Sequence, residues 1–112
     1  MAEVSNQYNF SRELLVKMTI FFSRKITAFA LLEEQIDLQG YCFLPNEVLL
    51  INDDDLLKKC DLIIGQAQKF LRDLGEYDID ENLITSYRKL MDEFKTLVNN
   101  NESMITVKSD TL

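Results

Sequence analysis

Apolar residues recur along this chain at helical spacing in three blocks. The first and longest is Ser11 to Leu38, about seven turns without a Gly or a Pro. At 100° per residue, Leu14, Leu15, Met18, Phe21, Phe22, Ile26, Phe29, Leu32 and Ile36 fall on one broad face. A thinner line, Val16, Ile20, Leu31 and Leu38, falls on the opposite side. Ser11 is placed to cap the first free amides, with Phe10 and Leu15 as a hydrophobic staple. Gly40 is placed to stop the helix in a left-handed turn. The polar residues 1–9 before it are expected to fray as a tail.

The second block opens at Asn52, followed by Asp53, Asp54 and Asp55, carboxylates suited to the positive end of a helix dipole. Leu56, Cys60, Ile63, Ala67, Phe70 and Leu74 then step by four and three, and Gly75 ends the run. The third block is capped by Asp80, with Ile79 and Ile84 as another candidate staple. Its line is Leu83, Tyr87, Leu90, Phe94 and Leu97, with Ile84, Met91 and Val98 beside it. Asn99, Asn100 and Asn101 are expected to end it, because Asn tolerates the left-handed conformation. Residues 102–112 then form a second flexible tail, whose MITV run would pair as a strand only against an offered edge.

These periods predict an all-α domain: an antiparallel bundle of three long helices at about 11–38, 53–74 and 81–98. The short link between the last two makes them an antiparallel hairpin. The apolar connector 41–51, broken by Pro45, is expected to lie across one end as a lid, with room for a short fourth helix.

Composition supports this picture. The 112 residues are the size of one domain, and 46% hydrophobic content is enough for a core without a disulfide or metal. Three Gly and one Pro are too few for the turns of an all-β fold. The net charge of −7, from 12 basic and 19 acidic residues, opposes nucleic-acid backbones and anionic membranes. The most apolar window, Leu14–Leu32, contains Lys17, Arg24 and Lys25, which a membrane span would not tolerate. The first residues carry no export-signal pattern. Cys42 and Cys60 are therefore expected to be thiols in a cytoplasmic or nuclear setting.

Candidate chemistry is sparse. There is no histidine, which removes the commonest general base and most zinc sites. Asp78-Ile79-Asp80-Glu81-Asn82 imitates the start of a calcium loop, but Leu83 and Lys89 occupy the positions that require Gly and Glu. No glycine loop cradles a phosphate. Cys60 falls on a core stripe and reads as a buried thiol. Lys25, within the main apolar face, is expected to run its methylenes along the core and surface its ammonium. No catalytic residue, cofactor or metal site is expected.

The remaining expectation is a small non-enzymatic protein that acts by presenting helix faces to a protein partner or to a second copy. Several apolar groups left in water would each forgo roughly 1.5–3 kcal/mol, so the second line of the first helix is the expected interface: Val16, Ile20 and Leu31. Gly65, on the polar face of the second helix, and Leu62, at the edge of that face, are further candidate interface positions, since a mid-helix Gly permits a close approach of a partner backbone. Two rivals stand beside this. An acidic inhibitor would use Asp53–Asp55 and residues 76–81. A membrane-surface helix would use the cations of the first block, but these are spread around the helix rather than gathered on one face.

Overall fold

A computed structural model describes residues 2–34 and 51–110, with side chains over 6–34 and 51–100. The elements are α1 (Ala2–Leu32), α2 (Asp53–Lys69), α3 (Leu71–Leu74), a 3₁₀ turn (Gly75–Tyr77) and α4 (Glu81–Asp110). Among the described residues all regular structure is helical, as the periodicity predicts. The apolar connector, apart from Ile51, and the stop expected at Gly40 lie outside the described residues.

The helix ends differ from the expected ones. α1 begins at Ala2, so Ser11 is an interior residue and not a cap. It ends at Leu32, and Glu34 takes a left-handed backbone (φ 54°) that no helix can continue through. α2 opens as expected: the Asn52 side chain accepts a hydrogen bond from the Asp55 amide at 2.8 Å. The helix is interrupted at Phe70, whose ring packs on Phe29 with centroids 5.6 Å apart. The left-handed residue in the turn is Asp78 (φ 68°), not Gly75. Asp80 caps α4 by accepting from the Leu83 amide at 2.7 Å, with Ile79 and Ile84 both buried behind it. α4 runs through Asn99–Asn101 to Asp110, so the MITV run is helical and not a strand.

Cross-contacts fix the directions. Tyr8 meets Asp53, Thr19 meets Cys60 and Phe29 meets Phe70, so α1 and α2 run parallel. Tyr8 also packs on Phe94 and Phe22 on Tyr87, so α4 returns against both. The α2–α4 hairpin is antiparallel, as its short link predicts. The core is built from Leu15, Phe22, Ile26 and Phe29 of α1, Leu56, Cys60 and Ile63 of α2, and Ile84, Tyr87 and Phe94 of α4. The body is elongated, 57 × 24 × 20 Å.

Candidate functional site

The expected line of α1 is not a continuous surface. Val16 is buried in the core at 3% exposure, a correction to its expected place in an interface. The reason is that α1 is covered on two sides, by parallel α2 and antiparallel α4, so its buried arc widens to take in Val16. Ile20 is half-buried against the same core. Leu31 and Leu62 do stand in solvent. They are not brought together: with Thr19 level with Cys60, Leu62 sits near the height of Phe21, about ten residues or ~15 Å of helix below Leu31. Gly65 is exposed, and a Cβ built there would meet nothing within 4 Å, so no described backbone uses the space.

The open apolar feature lies instead between α1 and α4. Phe10 and Leu14 form one wall and Leu90 and Leu97 the other, around a groove of about 400 Å³. Gln7, Glu93 and Thr96 also line it. Phe10 is 64% exposed, while Tyr8, on the inner side of the same turn, packs on Phe94 with centroids 5.4 Å apart. Ser11 also lines the groove, and its buried hydroxyl has no hydrogen-bond partner among the described residues. This sets it apart from Thr19, Thr27, Thr85 and Thr96, each of which donates to the carbonyl four residues back.

A polar clamp holds the same end of the bundle. The Tyr8 hydroxyl donates to one oxygen of Asp53, and Arg12 Nε donates to the other at 3.1 Å. Arg12 Nη2 also donates to the Ile51 carbonyl at 2.6 Å, which ties the start of α2 to α1. Burial, and then the Asp53 carboxylate, push the Tyr8 phenol up to about 12. Halfway along, Thr19 donates to the Leu15 carbonyl, and the Tyr87 hydroxyl lies 2.7 Å from Thr19 Oγ1. The Cys60 sulfur is 3.3 Å from the same oxygen, and all three side chains are fully buried. Burial raises both the Cys60 thiol and the Tyr87 phenol above their ordinary values. The thiol is thus held as a neutral core group, as its stripe position predicts.

At the opposite end, Lys25 reaches out of the core to Asp78 at 3.1 Å with its ammonium near the Phe21 ring, the outcome expected of a snorkelling lysine. A second depression there, about 300 Å³, is lined by Glu33, Arg72, Asp73 and Glu76 around Tyr77. Among the described residues no group of three or more Cys, Asp and Glu is arranged to hold a metal ion. Nor is any described helix long and apolar enough to cross a membrane.

Three of these features were legible only in hindsight. Thr19 completes the series Leu15, Thr19, Phe22, Ile26, Phe29 in steps of four, three, four and three, which marks it as a core residue. Tyr8 and Arg12 extend the same face backwards, past the presumed cap at Ser11. No sequence signal separates Phe10 from an ordinary staple once the helix is taken to begin beside it. Set against protein-family models, curated protein sequences and solved structures, the chain has no match.

Proposed function

We propose that the chain is a non-enzymatic interaction protein, a helical bundle that docks another protein through the groove between α1 and α4. The observation that carries this reading is Phe10. A ring with 64% of its surface in water forgoes on the order of 1–2 kcal/mol relative to burial. It lines a groove together with Leu14, Leu90 and Leu97, a more specific feature than isolated exposed residues such as Leu31 and Leu62. The reading places the protein in a reducing compartment, cytoplasm or nucleus, with its cysteines as thiols.

The test compares partners captured from the native cell by tagged wild-type protein, Phe10→Asp and Leu31→Glu. Loss of one partner with Phe10→Asp and its retention with Leu31→Glu supports the groove. A partner set unchanged by Phe10→Asp, or lost with Leu31→Glu alone, refutes it.

A further inference from the structure

We infer that the occupant of the α1/α4 groove is a cationic amphipathic helix of a partner protein, an inference that rests on the interaction reading above. Three observations point to that chemistry. The first is the shape of the walls. Leu90 and Leu97 lie two turns apart on α4, and Phe10 and Leu14 lie one turn apart on α1, running the opposite way. A helix with apolar residues at i, i+4 and i+7 matches such a cleft between two helices. An extended peptide does not. Its amides and carbonyls would face apolar walls, and the described residues offer no strand edge to pair with them.

The second observation is charge. Among the described lining residues the one acidic or basic side chain is Glu93, and the chain as a whole carries a formal charge of −7. A cationic partner is steered toward this surface, whereas a second copy of the chain is opposed by like charge. The third is Ser11. Its hydroxyl is buried under the groove and lacks the back-bond that Thr19, Thr27, Thr85 and Thr96 each make. An incoming polar side chain, a lysine ammonium or a carboxamide, that displaces Phe10 slightly meets an acceptor that no described residue uses.

The experiment titrates the isotope-labelled full chain with an 18-residue amphipathic helical peptide of Leu and Lys, and with its Leu and Glu counterpart, by NMR. The Lys peptide is expected to bind one to one, with shift changes centred on Phe10, Leu14, Leu90 and Leu97, and at least tenfold more tightly than the Glu peptide. Phe10→Ala, at a position exposed enough to leave the unfolding midpoint unchanged, weakens it about tenfold. Glu93→Gln weakens it about threefold and flattens its salt dependence.

Equal binding of both peptides overturns the inference. So do shifts centred on the acidic turn at 73–81, or a dimer that forms through the groove and excludes the peptide. The two proposals fail separately. A cellular partner that depends on Phe10, alongside a Lys peptide that ignores the groove, removes the cationic helix and leaves the interaction reading. A peptide that fits the groove while no cellular partner depends on Phe10 removes the interaction reading, and with it the inference.

Discussion

The buried contact among Thr19, Tyr87 and Cys60 joins one residue from each long helix, and its worth is open to measurement by a double-mutant cycle. Thr19 Oγ1 donates to the Leu15 carbonyl and lies 2.7 Å from the Tyr87 hydroxyl. Both side chains are at 0% exposure. Since the one Thr19 proton is committed to Leu15, Tyr87 is the donor between them. Tyr87→Phe removes that donor and leaves Thr19 still bonded to Leu15. It costs about 1 kcal/mol, the net value of one hydrogen bond.

Thr19→Val keeps the shape but leaves the Tyr87 hydroxyl buried, with only the weakly accepting Cys60 sulfur close by. That costs about 2 kcal/mol, because a stranded buried donor loses its hydration without replacement. The double variant strands nothing and costs about 1 kcal/mol. The singles sum to about 3, which leaves a coupling of about 2 kcal/mol. Urea unfolding of the four proteins, followed by helical circular dichroism, reads these values. Additivity within ~0.4 kcal/mol would refute the assignment of donor and acceptor.

Other consequences are as direct. Gly65→Ala is expected to stabilise the protein by roughly 0.5–1 kcal/mol, since the added methyl meets nothing within 4 Å and Ala is the better helix former. A destabilised variant in thermal unfolding would show that the space is used. Ser11→Ala is expected to stabilise by about 1 kcal/mol by removing a buried unpartnered hydroxyl; a loss of stability would mean that the hydroxyl has a partner after all. Val16→Ala should cost about 1–2 kcal/mol, because Val16 is a core residue, whereas Leu31→Ala should change stability by less than ~0.5 kcal/mol.

Stability should also fall in alkali. The folded chain holds the Cys60 proton above the ordinary thiol value of 9.0, and the Tyr8 proton up to about 12 against an ordinary 10.0. Below these ordinary values both states are protonated and the stability is fully present. Above them the unfolded chain loses its protons first, so stability declines from about pH 8.5 upward. Urea midpoints from pH 7 to 11 should drop, less steeply near pH 9 for Cys60→Ala, and a flat profile would count against the burial of these groups.

The faces of the three helices were legible because steps of four and three leave little freedom: Leu56, Cys60, Ile63 and Ala67 are buried as their spacing requires. Their ends were less so, because tertiary contacts decide them. The polar stretch before Ser11 has weak helical signals of its own. It is held by Tyr8 and Arg12 on Asp53 and by Tyr8 on Phe94, partners 41 to 86 residues away. Glu34 ends α1 at a residue type that gives no warning of a left-handed turn. The place of Val16 depends on which neighbours cover α1, and the direction of α2 beside it is not written in either helix. The groove is not legible in the sequence for the same reason, since its two walls come from opposite ends of the chain.

The parallel arrangement of α1 and α2 also orders events in time. α2 and α4 are joined through a tight turn and find each other locally. α1 reaches the start of α2 across 39 residues, from Arg12 to Ile51, and α4 across 68, from Thr19 to Tyr87. Contacts that close such long loops form late. On a ribosome adding ~5–20 residues per second, Thr19 waits about 3–14 s for Tyr87 to be made. For most of that interval α1, the most apolar of the long helices described, lacks its α4 partner. A chaperone that binds apolar helices would meet α1 before α4 does.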